Sequence, residues 1–482
     1  METMIVLGVS VAILIVAYFV FRGDRKKYFK ATLKVIALIY LAIAFVRYML
    51  SDSFIWVINK GVYGGKYYEY VDVLQSVVRW GHYVSYVVYI MAAFFDSRLF
   101  KNIAVYFCLP FAVISCFCFN RFMGYFMGDI LQEVGRGIQT SYTFRAVYFG
   151  IELILAIVIP LMIAIIDKHK FNIKDKVEWR NFLVALPFII LSSMPVYIPQ
   201  SILGYTKFTA NAMTIGNFIW IGVTFVEIAI LYWVFRFKDY KTRYMLCMYL
   251  ALALFMHYNS LYLMGFSVAR LPIQLCNLGA YFFVLTLILK SRSFFNFTFL
   301  ANIVGTMIAM IMPDTSGGFA GFWNIHFLIE HTQVLVVPML CMLLRIFPRL
   351  EKSALKHLVI GFSIYFVFCW VSGTMLNGFA DIGGYGRVNF FYIFDLEKAF
   401  GYFPFLSFTK EVGLVILGRF KIWPLFQFII YLGFLGLCVG FYFVMIKFYE
   451  TLDDHFELRK ARIDMYERLT GKKSKCKREY ED

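Results

Sequence analysis

Residues 151–160 read IELILAIVIP, and residues 329–338 read IEHTQVLVVP. Both are apolar runs with a glutamate at the second position and a proline at the last. The echo extends upstream. DSRLFKN at Asp96–Asn102 is answered by KSRSFFN at Lys290–Asn296, and YLAIA ending in FVRY (Tyr40–Tyr48) by YLALA ending in FMHY (Tyr249–Tyr258). The order is the same in both halves, the signature of one structural unit duplicated. Alignment of the halves sets Glu152 opposite Glu330, Leu153 opposite His331, His82 opposite Cys276 and Arg47 opposite His257. Only the second half then carries a cysteine and a histidine able to act together.

Composition sets the medium in which that unit folds. Of the 482 residues 61% are hydrophobic and 20% aromatic, and the mean hydropathy is +0.71. A water-soluble fold of this composition would lack the polar surface to cover itself. The apolar residues fall in runs long enough for transmembrane helices. Thirteen are predicted, at 3–22, 35–50, 74–95, 102–119, 146–166, 181–200, 212–235, 244–264, 271–289, 297–312, 325–344, 357–376 and 424–446. The expected fold is an all-α polytopic membrane protein of two tandem six-helix repeats and one extra helix. An even number of spans separates equivalent points, so the repeats are expected to run parallel. The expected divisions are a first repeat at 1–205, a second at 206–376, a long loop at 377–423, a last span at 424–447 and a basic tail at 448–482.

The net charge of +17 follows from this topology, and nucleic acid is not required to explain it. Connections after odd-numbered spans hold Arg25, Lys26, Lys27, Lys30, Arg98, Lys101, Lys168, Lys170, Lys238, Lys241, Lys290, Arg292, Arg349 and Lys352 among others, whereas those after even-numbered spans hold few. Positive residues are retained on the cytoplasmic side. The expectation is therefore a plasma-membrane protein with its N-terminus outside and its C-terminal tail in the cytoplasm. The first span runs directly into RGDRKK without a small-residue cleavage site and reads as a retained anchor. The 377–423 loop falls outside the cell, and its length suits a lid or a surface-lying aromatic segment.

Most of the cysteines lie inside apolar runs, where the residue acts as a small hydrophobe. Cys276 differs, because it sits in Arg270-Leu-Pro-Ile-Gln-Leu-Cys-Asn beside Gln274 and Asn277. Counted from Arg270 and Ile325, Cys276 and His331 each lie about seven residues into their spans, which is roughly 10 Å at ~1.5 Å per residue. Two helices of one bundle can bring thiol and imidazole together at that level. A thiol beside an imidazole becomes a thiolate nucleophile, with the histidine as base and then acid. Gln274, Asn277 or first-turn amides near Pro272 are candidate donors to an oxyanion. Glu330 and Glu152 recur and read as supports of the repeat. Arg47 reads as a snorkelling cation, His326 as a surface partner of Glu330, and His82 as a residue without a partner.

The run Leu271-Pro272 through Cys276-Asn277, the PDTSGG turn from Pro313, and Glu330-His331 followed by Pro338 resemble the YwaF-like integral membrane proteins of bacteria. That family is similar to eukaryotic multi-span acyltransferases that use a cysteine and a histidine on ether phospholipids. The resemblance spans about residues 212–446. Asn389 in Arg387-Val-Asn-Phe-Phe-Tyr resembles a family Asn-Tyr element, with Phe390 in place of the tyrosine. It implies acyl transfer at the outer leaflet through a thioester on Cys276, with His331 relaying the proton. The implied partners are membrane lipids, a phospholipid donor and a lipid or lipoprotein acceptor. No cofactor, metal or nucleotide is implied, since neither a phosphate loop nor ligand spacing is present. A lipid or solute transporter, or a transport scaffold, is the alternative, because tandem parallel repeats are common in carriers.

Overall fold

The computed structural model describes residues 1–49, 70–124, 141–172, 174–176, 179, 214–259, 268, 271–313, 322–383 and 385–470. The expected span at 181–200, most of the PDTSGG turn, Arg270 and the tail beyond 470 lie outside the described residues. The chain forms two compact units, 1–202 with 256–266, and 203–255 with 267–482.

In the first unit the main helices are α1 (Glu2–Val20), α2 (Phe29–Met49), α3 (Tyr70–Phe95), α4 (Arg98–Phe117) and α5 (Tyr142–Ile165). α4 passes through a π-helical turn at Ala104–Cys108 just before Pro110, where the ring removes one donor from the ladder. The second unit contains α6 (Ile215–Phe235), most of α7 (Tyr240–Asn259), α8 (Leu275–Leu289), α9 (Arg292–Ile311), α10 (Phe322–Leu343) and α11 (Ser353–Gly383). It ends in α14 (Pro424–Thr470), a continuous helix that carries the last membrane span into the tail.

Among the described residues nine helices are long and apolar enough to cross a membrane. α3 and α8 present shorter apolar stretches, Val84–Phe95 and Leu275–Leu289. The protein is an all-α polytopic membrane protein, because a bilayer core satisfies no backbone polar group and helices satisfy their own. The nine do not include α7, which starts with Lys241 and Arg243.

Side-chain caps set several helix starts. Ser141, Thr214 and Ser291 accept from the N–H groups of Phe144, Asn217 and Phe294 at 3.2, 3.4 and 3.4 Å. Pairings recur between the units. α1 packs on α5 as α6 packs on α10, and α3–α4–α5 pack mutually as α8–α9–α10 do. The tight α3–α4 and α8–α9 connections turn at Asp96 (φ 53°) and Lys290 (φ 51°), which occupy aligned positions. Both residues take the left-handed conformation that ends a helix sharply.

Residues 385–423 form a small structured layer between α11 and α14. It holds a 3₁₀ turn at Phe390–Tyr392, α12 (Leu396–Tyr402), a second turn at Pro404–Leu406, α13 (Thr409–Val412) and an antiparallel hairpin of β1 (Val415–Leu417) and β2 (Phe420–Ile422). Leu396, Leu406 and Phe426 form its core, with Phe400, Trp423, Ile429 and Ile430 packed around them. Phe394 and Phe420 press onto α11 at Gly373 and Gly378, where a Cβ would lie 2.1 and 2.3 Å from the rings. Glycine is required at these two positions by close approach.

Candidate functional site

The site is built at the start of α8. Pro272 disfavours helix at the preceding residue, and a turn joins Ile273 N–H to the Leu271 carbonyl at 2.7 Å. The Ile273 carbonyl accepts from the Tyr365 hydroxyl (3.0 Å) and the Cys369 thiol (3.4 Å) of α11. α8 therefore begins at Leu275, with Gln274 as its extended N-cap and no side chain capping it. Cys276 is the second residue of the helix and half-buried. Its thiol donates to Asn277 Oδ1 at 3.2 Å. Unsatisfied first-turn amides stabilise a negative charge at this place.

Cys276 lies second in α8 and His331 tenth in α10, and the Pro272 turn keeps Leu271–Ile273 out of α8. Yet α8 has 15 residues, about 22 Å at ~1.5 Å per residue, against a hydrocarbon core of about 30 Å. Such a helix is too short to reach both membrane faces, which suits a recessed thiol.

α8 packs against α10. There the His331 ring stacks on Phe327 with centroids 3.9 Å apart, and its Nδ1 lies 2.7 Å from the Phe327 carbonyl. A carbonyl only accepts, so Nδ1 carries the proton and the neutral ring offers Nε2 as a base. The Cys276 thiol and the His331 ring share no hydrogen bond. Glu330 is 4% exposed, its Oε1 has no hydrogen-bond partner, and its Oε2 lies 3.7 Å from His326 Nε2. His326 is itself buried, which corrects its reading as a surface residue.

Gln274 and Asn389 have another task. Gln274 Nε2 donates to the Asn389 carbonyl and its Oε1 accepts from Phe391 N–H, both at 2.8 Å. Asn389 Oδ1 accepts from the N–H groups of Phe394 and Asp395 at 3.0 Å. Two residues before the thiol, the tip of the 384–423 segment is thus fastened to α8. Gln274's amide is occupied there on both its nitrogen and its oxygen. Phe391 packs among Phe362, Tyr365, Phe366 and Phe434.

Asn302 and Gly279 were not singled out in the sequence. Asn302 Nδ2 donates to the Leu275 carbonyl at 3.1 Å, and only a glycine at 279 leaves it room, since a Cβ would lie 2.2 Å away. The available signal was an asparagine inside the apolar run Phe299–Ile303.

The first unit shows what the same scaffold does without the cysteine. Arg47 donates through Nε to Glu152 Oε2 and through Nη2 to Oε1 at 2.9 Å. His82 Nε2 joins Oε1 at 2.8 Å. All three are buried. This corrects both expectations for them: Arg47 does not snorkel, and His82 has Glu152 as its partner. Burial without pairing would be costly for each, so α2, α3 and α5 are drawn together at this point.

Among the described residues no three His, Cys, Asp or Glu side chains converge to hold a metal ion. No curated protein and no solved structure matches the chain. Residues 208–443, which run from just before α6 into α14 and contain Cys276, Glu330, His331 and Asn389, match the model of the TMEM164 family, a multi-span membrane family.

Proposed function

We propose that the second unit transfers acyl groups between membrane lipids through a thioester on Cys276. The observation that carries this reading is a cysteine in the uncapped first turn of a short membrane helix, packed on the helix that bears His331 and Glu330. In the first half-reaction His331 Nε2 takes the thiol proton and sulfur attacks a phospholipid ester carbonyl. The C–S bond forms, the ester C–O bond breaks, and the proton passes to the departing lysolipid oxygen. In the second, the hydroxyl or amine of a lysolipid, glycolipid or lipoprotein attacks the thioester. Its proton returns to His331 and the thiol is regenerated; water is the default acceptor. Asn277 and the first-turn N–H groups suit the oxyanion of each tetrahedral intermediate. Hydrogen bonds of this kind commonly tighten only with substrate bound. The resemblance of the Cys276 and His331 motifs to those of the YwaF-like proteins and the Cys/His phospholipid acyltransferases supports the same chemistry. The Lys/Arg asymmetry supports an N-terminus and a 377–423 segment outside the plasma membrane, with the tail in the cytoplasm. Impermeant maleimide labelling of engineered cysteines in intact cells tests that orientation.

The test of the chemistry is transfer from a fluorescent-acyl phospholipid to a lysolipid in liposomes holding the purified protein. Cys276→Ala is expected to abolish transfer and His331→Ala to reduce it at least a hundredfold, within the range of a lost general base. Cys108→Ala and Cys438→Ala are expected to leave it unchanged. Wild-type transfer by Cys276→Ala would overturn the reading. A second reading, transport, is favoured by the buried Arg47–Glu152–His82 network, since ionisable groups within membranes often mark substrate or proton paths. Transport predicts solute or lipid flux that survives Cys276→Ala and fails in Glu152→Gln.

A further inference from the structure

The layer between α11 and α14 turns an apolar face outward. Phe405 is 71% exposed and Ile416 is 58% exposed, and Phe403, Phe408, Val415 and Leu417 are exposed with them. In β1 three consecutive apolar residues are all uncovered. A strand in water alternates apolar with polar residues, and an isolated two-stranded hairpin there is marginal. β1 does not alternate, so both of its faces suit an apolar surrounding.

Three observations say which surrounding covers it. The layer is held at both ends by membrane helices, α11 before it and α14 after it. α11 has 31 residues, about 46 Å at ~1.5 Å per residue, so it exceeds a core of about 30 Å by about 8 Å at each end when centred. Gly378, on which Phe420 of β2 rests, lies five residues before the last residue of α11, or about 7.5 Å. The hairpin therefore docks where the acyl chains meet the headgroups.

The second observation is continuity. α11 exposes Ile360, Ile364, Val367, Val371, Met375 and Phe379, a stripe at helical spacing that faces lipid along the span. Phe379 meets Phe420 with ring centroids 5.8 Å apart, so the stripe runs directly into the hairpin. The third is the placement of charge. The Arg419 guanidinium lies 5.0 Å over the Phe379 ring, and Lys421 of β2 is exposed. Basic side chains bordering an apolar surface are the pattern of a segment lying in the interface plane.

We propose that residues 403–422 are an interfacial lipid anchor, seated in the headgroup–acyl boundary on the membrane face where α8 begins. The site of Cys276 would then open beside a segment already immersed in lipid, with the Asn389–Tyr392 tip between them. The anchor stands independently of the acyl-transfer reading, since it needs no chemistry at Cys276.

The test places the photocrosslinking residue p-benzoylphenylalanine at Phe405 or Ile416 of the full chain. The protein is irradiated in liposomes of phosphatidylcholine with one-fifth phosphatidylglycerol, and the products are read by intact mass and by gel. The expected result is an adduct heavier by one phospholipid at both positions. In parallel, Ile416→Trp is expected to add a fluorescence component quenched by phospholipids brominated near the top of the acyl chain more than by those brominated near its end. A crosslink to a second copy of the chain, or adducts with no lipid at either position, would overturn the proposal. So would an added tryptophan component indifferent to brominated lipid.

Discussion

Gln274→Met removes the fastening between the start of α8 and the tip of the 384–423 segment while keeping side-chain length. The wild-type amide makes two hydrogen bonds there, to the Asn389 carbonyl and from Phe391 N–H, each 2.8 Å. At about 0.5–1.5 kcal/mol net per bond the pair holds the tip by about 1–3 kcal/mol. The tip has reason to leave, because Phe391 and Tyr392 are held at φ 54° and 56°, and left-handed backbone costs roughly 1–2 kcal/mol per non-glycine residue. The expected result is a roughly 5- to 150-fold rise in the undocked fraction, taking about 1.4 kcal/mol per tenfold. Hydrogen–deuterium exchange of peptides covering 387–396 in detergent measures it directly, since the Phe391, Phe394 and Asp395 amides are protected only while the tip is folded. Gln427→Met is the internal control, for Gln427 makes a single bond to the Ile393 carbonyl at 3.3 Å. Exchange in Gln274→Met that is unchanged, or no faster than in Gln427→Met, would refute the reasoning.

Three other outcomes follow from the geometry. Glu152→Leu removes the carboxylate that Arg47 and His82 both contact and is expected to destabilise the first unit by about 3–5 kcal/mol, whereas the double change Arg47→Leu/Glu152→Leu recovers part of that loss; equal damage in single and double variants, measured by SDS titration, would contradict the pairing. Gly373→Leu drives a side chain into the Phe394 ring and is expected to cost about 1–3 kcal/mol, with faster proteolysis confined to 384–396; an unchanged digestion pattern counts against the docked layer. At Asp96, outside the spans, partial burial raises the carboxyl's pKa, but hydrogen bonds and charge from Lys101 and Lys30 outweigh it and hold it below the ordinary value. A lowered folded pKa gives stability that is present above the unfolded value and lost as pH falls through the folded one. Unfolding titrations below about pH 4 are expected to show a loss that Asp96→Asn lacks, and identical acid profiles would dismiss the contribution.

The spans could be read in the sequence because the bilayer imposes one rule on every residue of a crossing helix. IELILAIVIP admits few structures in hydrocarbon other than α5, and the same holds for the runs that became α1, α6 and α14. The 384–423 layer obeys no such rule. Its short helices and hairpin are set by tertiary contact, by Phe394 on Gly373 and Phe420 on Gly378, and a glycine-dotted aromatic segment announces neither. The start of α8 lies later than the apolar run for a related reason. Hydropathy continues through Leu271-Pro-Ile, but the proline and the pull of Tyr365 on the Ile273 carbonyl keep that stretch out of the helix. Which face of a span a polar residue occupies is likewise invisible to composition. Arg47 near a helix end has the pattern of a snorkelling residue, and only the meeting of α2, α3 and α5 turns it inward onto Glu152.

The duplicated glutamate shows why one scaffold can serve two ends. In the first unit Glu152 is matched by a permanent cation and by a histidine that bonds it at 2.8 Å, so its charge is spent on holding three helices together. In the second unit the aligned Glu330 keeps one oxygen without a hydrogen-bond partner, and its other oxygen lies 3.7 Å from His326 Nε2. The aligned change from His82 to Cys276 replaces the imidazole partner with a thiol, while that from Leu153 to His331 places an imidazole one residue beyond the glutamate. A buried carboxylate with partners on both oxygens holds a fold together, whereas Glu330 keeps one oxygen without a hydrogen-bond partner.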